Sequence, residues 1–285
     1  MTEWGIDLHM HTRCSDGCFS PSELVEQCAR HGIYTMSITD HDTVAGLEEG
    51  IAAACRQGIA LITGLELTAE FEGELHILGY GIDPSAQQLT DFLDKQLKLR
   101  DARNRKMVKR LQVLGIGISH EELVESSGLE IYGRTQMAQM LTEKGYAASG
   151  DEAFQRWVGH SCPAYVPREK PSYTDCIRII HSAGGLAVWA HPVLTKLDLS
   201  EQKALLESML SDGLDGIETF YTYHDREQTE FCLRAAERYD ILPTCGSDFH
   251  GGGVHIEATL DTYKQFNLPV SAVKRLRNLA ISFGD

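Results

Sequence analysis

The sequence predicts an α/β barrel-like domain interrupted by a helical insertion over about residues 96–164. Three observations predict it. The first ninety residues alternate short β-rich runs with helical runs. From Ser85 to about Trp157 the strand signal gives way to helix, and after "GGLAVWAHP" the alternation resumes. A chain of 285 residues, 42% of them hydrophobic, is long enough for one large domain with such an insertion.

The elements follow in order. Ile6–His9 reads as a strand. "SPSELVEQCARHG" reads as a helix, with Ser20 as cap, Pro21 at its first position and Gly32 as stop. "IYTMSIT" is a strand ending at Asp40-His41, and "TVAGLEEGIAAACRQG" a helix ending at Gly58. "IALITGLELTAEF" and "LHILGYGI" are again strand-like, and this order suggests a parallel sheet. Leu89, Phe92, Leu93, Leu97, Met107, Leu111 and Leu114 then fit one long helix, with the basic run "KLRDARNRKMVKR" between them. Shorter helices lead to strand signals at "PAYV" and "GGLAVWAHP". A helix at "SEQKALLESMLSDG", a strand at "LDGIETF", a helix at "REQTEFCLRAAERYD", a strand at "ILPTCGSDFH" and a last helix near Ser271–Ala280 complete the chain. The expected parts are a barrel over residues 1–95 and 165–285, and a substrate-capping insertion over 96–164.

The formal net charge is −15. That balance argues against long duplex nucleic acid or an anionic membrane as partner, and leaves room for a small anionic substrate at a locally positive site. No run approaches the roughly 18 apolar residues of a membrane-spanning helix. "MTEWGIDLH" has neither a basic leader nor a long apolar core, so a cytoplasmic location is expected. The eight cysteines include no CxxC pair and are expected to be reduced. Cys14 and Cys18 flank Asp16, but no second pair completes a Cys-His zinc site.

Ligand-type residues fall where apolar runs end. His9 and His11, in "DLHMHTRCSDG", end the first strand. A strand repeats every two residues, so the two imidazoles point the same way, about 6.5 Å apart at Cα, and can close on one cation. Asp16 follows them. Asp40 and His41 end the second strand, Glu66 lies late in the third, His191 ends "GGLAVWAH", and Asp248 and His250 follow "ILPTCG". His76 fits this rule less well, because it opens its strand. Strand C-termini gather on one face of an α/β barrel, where active sites form. One such residue alone is a polar boundary residue or a cap; the coincidence of many points to a metal centre. Imidazole with carboxylate suits Mn²⁺, Zn²⁺ or Fe better than Mg²⁺, and nine donors at roughly four to six per ion support two or three divalent metal ions, Mn favoured. Closely spaced metals polarise a phosphoryl oxygen and generate hydroxide near neutral pH.

"DLHMHTRCSDG", "ITDHDT", "GLEL", "HILGYGID", "AHP" and "GSDFH", in this order, resemble the polymerase-and-histidinol-phosphatase (PHP) family of metal-dependent phosphoesterases. The resemblance implies a distorted seven-stranded (β/α)7 barrel with a trinuclear site. It implies that His9, His11, Glu66 and Asp248 hold one metal, that Glu66, His76 and His191 hold a second, and that Asp16, His41 and His250 hold a third. Asp40 would support His41. Asp16, His41, His191 and Asp248 would serve catalysis, and a protonated His or a metal-bound water would assist the leaving oxygen. "SDG", the insertion after "GYGID", "RDARNRK", the Arg in "YGRTQMAQML" and "AYV" look most like the branch of 3′,5′-nucleoside bisphosphate phosphatases and 5′–3′ exoribonucleases. That branch points to Arg100, Arg103, Asn104 and Arg134 as substrate contacts. Leu65 stands where the branch more often has Val.

The expectation is hydrolysis of the 5′-phosphate of a small nucleotide, a 3′,5′-bisphosphate such as pAp favoured. The alternatives are a 5′–3′ exonuclease on short 5′-phosphorylated RNA, a histidinol-phosphate-type phosphatase, or a metal-containing regulatory module without turnover. A solvated helix face accounts for the arginine run equally well. Tyr165, His224 and His255 could border the cleft, and Glu218 in "GIETF" is either a support for a ligand or half of a buried salt bridge.

Overall fold

The structure, a computed structural model, describes residues 5–127, 132–251 and 258–281. Seven strands form one sheet in chain order: β1 (Gly5–Asp7), β2 (Ile33–Ile38), β3 (Ala60–Thr68), β4 (His76–Tyr80), β5 (Leu186–Trp189), β6 (Gly216–Tyr221) and β7 (Leu242–Gly246). The sheet closes on itself just past β1 and β7. Leu8 N–H donates to Cys245 O at 3.1 Å, Asp248 N–H to His9 O at 2.8 Å and His11 N–H to Phe249 O at 2.9 Å. The molecule is therefore a nearly closed (β/α)7 barrel, as expected.

Helices α1 (Pro21–His31), α2 (Leu47–Gln57), α7 (Tyr173–Ser182), α8 (Leu199–Ser211), α9 (Arg226–Tyr239) and α10 (Val270–Arg277) accompany the strands. The caps of α1 show why it forms where it does. Ser20 Oγ accepts the N–H of Glu23, Glu23 returns a bond to the Ser20 N–H, Pro21 starts the first turn, and Gly32 ends it at φ 80°. Ile6, Leu8, Ile62, Leu78, Tyr80, Val188, Leu242 and Cys245 form a core closed by Leu268, Ala272 and Leu276 around α10.

The expectation of an all-parallel sheet is corrected at one strand. β4 runs antiparallel to both β3 and β5. Only a turn of residues 69–75 joins β3 to β4, and a crossover long enough for parallel pairing needs a dozen residues or more. The reversal explains His76. The N-terminal end of β4 lies on the face where the other six strands end, so the first residue of β4 joins the residues that follow the others.

The chain divides into two compact units, Met1–Phe92 with Lys170–Asp285, and Leu93–Glu169. The second unit contains most of α3 (Gln87–Val113), then α4 (His120–Ser127), α5 (Arg134–Glu143), the short α6 (Gly150–Ala153) and a π-helical turn at Phe154–Val158. Its own core gathers Met107, Leu111, Ile116, Leu123, Tyr132, Met137, Leu141 and Val158. Two expectations fail here. "PAYV" forms no strand: Ala164 N–H bonds Trp157 O and Tyr165 N–H bonds Cys162 O, a turn whose Pro163 has no donor to give a sheet. Leu114 lies beyond α3 and is exposed rather than in the core. Helix α7 is an addition to the elements expected from the sequence, and Ser172, whose hydroxyl accepts the Asp175 N–H, is its cap.

Candidate metal centre

Each strand delivers its donors in a different way. β1 ends in the His9/His11 pair, both fully buried. β2 leads to His41, which bridges in parallel fashion to Glu66. Glu66 sits within β3, fully buried. His76 pairs with Thr68 across the antiparallel ladder, two residues from Glu66, so the two side chains share a face. His191 and Asp248 follow β5 and β7 with φ of 28° and 58°. Non-glycine residues in that region carry local strain and collect at functional sites.

The distances show convergence. Glu66 is the hub: its Oε1 lies 2.9 Å from His76 Nδ1, 2.9 Å from His191 Nε2 and 3.4 Å from His9 Nε2. Its Oε2 lies 2.9 Å from His41 Nδ1 and 3.4 Å from His11 Nε2. Asp248 Oδ1 is 3.1 Å from His11 Nε2 and 3.5 Å from His9 Nε2. Asp16 lies 3.3 Å from His250 Nε2, 3.7 Å from His11 Nδ1 and 3.8 Å from His41 Nε2. All nine residues expected as ligands thus meet in one place. His11, Asp16, His41 and His250 form one group able to hold an ion; His9, His191 and Asp248 a second; His9, His11 and Glu66 a third; and His41, Glu66 and His76 a fourth.

The residues fit cations better than they fit one another. His9 Nε2, both ring nitrogens of His11, His41 Nδ1, Glu66 Oε2 and His191 Nδ1 are buried and make no hydrogen bond of good geometry, although His41 Nδ1 and His11 Nε2 lie close to carboxylate oxygens. Each such group costs about 1–3 kcal/mol, and several side by side are unfavourable without an ion to take their lone pairs. Burial, reinforced by the nearby His250 and His41, pushes His11 down to about 3, so it is neutral and ready to ligate. Burial works against protonating His41, yet Glu66 and Asp16 outweigh it and hold that imidazole up at about 10. Against its own burial penalty, Glu66 is held ionised by His41, His76 and His9.

The supports differ from expectation. The Asp40 carboxylate bonds Thr12 and Ser15 rather than His41. It is buried, and it accepts the Thr12 N–H at 2.7 Å, the Thr12 hydroxyl at 2.6 Å and the Ser15 hydroxyl at 2.6 Å. It therefore fixes the loop that carries Asp16. Glu218, in the middle of β6 rather than at its end, lies 3.0 Å from His9 Nδ1 and accepts the His191 N–H at 2.7 Å. Sequence reasoning missed Tyr221, whose hydroxyl donates to Asp248 Oδ2 at 3.1 Å. His224, also in the barrel, places Nδ1 3.1 Å from Thr219 O. Cys14 and Cys18 join none of the ligand groups. His255 lies outside the described residues.

Within the second unit the arginines form a cluster of their own. Burial lowers Arg103 to about 9, and Arg100, Arg134 and Arg168 add like-charge repulsion. The Arg134 guanidinium lies over the rings of Phe154 and Tyr165, 5.6 and 5.7 Å from their centroids. Asn104 is 1% exposed and donates to Tyr132 O at 2.6 Å, so its amide holds the segment before Arg134 and is not open to a ligand.

The PHP domain model matches residues 7–208. The chain belongs to the PHP domain family. The barrel and the imidazole–carboxylate set are those of a metal-dependent phosphoesterase, a hydrolase of phosphate esters. Among its relatives, the 5′-3′ exoribonuclease of Haemophilus influenzae is 33% identical over 245 residues, 86% of this chain and 89% of that one. The 3′,5′-nucleoside bisphosphate phosphatase of Chromobacterium violaceum is 32% identical over 254 residues, 87% and 88% of the two chains. A phosphoribosyl 1,2-cyclic phosphate 1,2-diphosphodiesterase of Eggerthella lenta is 32% identical over 253 residues, 86% and 94% of the two chains. In solved structures, a Chromobacterium violaceum protein described as an amidohydrolase superposes with a TM-score of 0.86 at 29% identity over 99% of both chains. A Bifidobacterium adolescentis protein described as a metal-dependent phosphoesterase gives 0.85 at 31% identity over 98% of both. Among the described residues, no helix is long and apolar enough to cross a membrane.

Proposed function

We propose that this PHP protein is a phosphomonoesterase that removes the 5′-phosphate of a small nucleotide, with a 3′,5′-nucleoside bisphosphate such as pAp favoured. The observation that carries the proposal is the meeting of six imidazoles and three carboxylates on one barrel face, with buried lone pairs left over. The set suits two or three divalent ions, Mn²⁺ favoured, with Zn²⁺ or Fe compatible. His9, His11, Glu66 and Asp248 would hold one, Glu66, His76 and His191 a second, and Asp16, His41 and His250 a third. Such ions, when bound, supply Lewis acidity toward a phosphoryl oxygen and a nucleophile at neutral pH.

The chain's own groups set direction and specificity. Asp16, His41 and His76 are 21%, 18% and 13% exposed, whereas the other donors are sealed, so substrate reaches the centre on the side of these three. Arg100, Arg103 and Arg134 would take the second phosphate. A cluster of guanidinium groups, one of them within cation–π distance of two rings, suits a phosphate that it can grip bidentately. Binding energy remote from the reacting bond supplies specificity. Arg134→Ala should therefore cost at least about 10-fold more kcat/KM on pAp than on p-nitrophenyl phosphate, and equal losses would remove Arg134 from recognition.

A second reading keeps the centre and changes the bond cut: a 5′–3′ exonuclease on short 5′-phosphorylated RNA. The exoribonuclease relative supports it. One labelled 5′-phospho-oligonucleotide separates the two, because the first reading yields free phosphate and the second mononucleotide. Histidinol phosphate and a cyclic phosphodiester complete the substrate panel.

A further inference from the structure

β6 contributes no donor to the centre, yet three donors lean on it. Glu218 Oε1 lies 3.0 Å from His9 Nδ1, and Glu218 Oε2 accepts the His191 backbone N–H at 2.7 Å. Tyr221 donates to Asp248 Oδ2 at 3.1 Å, and its ring lies 5.5 Å from that of His191. Glu218 and Tyr221 are three residues apart, and in a regular strand an odd spacing sends side chains to opposite faces. The register of β6 against β7 slips between Glu218 and Phe220: Glu218 pairs with Thr244, and Phe220 with Cys245. One extra residue, Thr219, is thus inserted. Such a bulge re-aims the side chains beyond it, and here both polar groups end on the ligand set.

The consequence is chemical. Tyr221 anchors Oδ2 of Asp248, and Oδ1 is the oxygen facing His9 and His11. Glu218 holds Nδ1 of His9, leaving the unpartnered Nε2 as the ligating atom. It also ties down the strained backbone of His191 at φ 28°. We propose that β6 is a positioning strand, whose bulge at Thr219 lets Glu218 and Tyr221 together fix His9, His191 and Asp248 in ligating orientation. Tyr221 and Glu218 are positioning residues and touch no substrate. The inference rests on the metal centre proposed above and goes beyond it by assigning the supports.

The test is Mn²⁺ affinity, measured on the full-length protein after chelation and reloading, by competition with a chromogenic chelator. Tyr221→Phe, which keeps the ring and removes only the hydroxyl, should weaken Mn²⁺ binding about 10- to 100-fold. Ser37→Ala serves as the control. It removes a buried bond, to Ile62 O at 2.9 Å, that touches no donor, and it should leave Mn²⁺ affinity unchanged. In an Asp248→Asn background, Tyr221→Phe should produce no further loss, because it acts through that carboxylate. Glu218→Gln should weaken binding in its own right, and it carries the test if Tyr221→Phe fails to fold. Wild-type affinity in the folded variants, or a Tyr221 effect that adds in full to Asp248→Asn, would overturn the positioning role and leave the metal centre standing. A wild-type protein that binds no Mn²⁺ would overturn both.

Discussion

Single residues decide whether the donors can meet. A Cβ on Gly246 would stand 2.1 Å from His9 Cβ and 2.9 Å from Glu218 Oε1, so β7 passes the centre only because this residue has no side chain. Gly246→Ala should cost about 1–3 kcal/mol of stability through overpacking, read by chemical denaturation, and should lower bound metal as His9 is displaced. Protons compete with metal for the same atoms. Without metal, Glu66 and Asp16 hold His41 protonated up to about pH 10, against the pull of burial. Below that pH an ion must expel a proton to bind, so apparent affinity should rise with pH across the neutral range. Calorimetry in buffers of different ionisation heat should show net proton release, and pH-independent affinity would contradict the arrangement. Most of the donors were legible in the sequence, because a polar residue at the end of an apolar run is visible without coordinates; His76, which opens its strand, is the exception. Tyr221 was not, because its direction depends on a bulge that leaves no mark in the local pattern.

At the scale of elements, helices with strong punctuation and the parallel pairing of most strands were readable, and the reversal of β4 was not. Ser20, Pro21 and Gly32 bracket α1, and the structure uses all three. Ser20→Ala should cost about 1 kcal/mol, seen as a lower denaturation midpoint, and leave metal content unchanged. β4 was legible as a strand, but its reversal follows from the shortness of the turn before it, a length argument that periodicity does not make. The reversal is also what brings His76 to Glu66. "PAYV" shows the opposite error: β-prone residues with no partner edge settle into a turn.

Across the whole molecule, the proposed centre would let an acidic chain build an anion site by concentrating cations. The net charge is −15, yet two or three divalent ions would outweigh the three carboxylates of the centre. Those ions would also relieve the buried lone pairs, so they should stabilise the fold. Chelation should lower the melting temperature by several degrees and abolish phosphate release, and Mn²⁺ should restore both. The change from strand to helix after β4 was legible, whereas the packing there, with Asn104 turned inward and Arg134 beside two rings, depends on side chains distant in sequence.

The most direct test of the central claim is metal content per chain, measured by elemental analysis after equilibration with Mn²⁺ and removal of the excess. The account predicts about two or three ions on the wild type and a clear loss in Glu66→Ala, whose carboxylate touches five of the six imidazoles through His9, His11, His41, His76 and His191. A wild type that retains no divalent ion, whether equilibrated with Mn²⁺, Zn²⁺ or Fe²⁺, would contradict it.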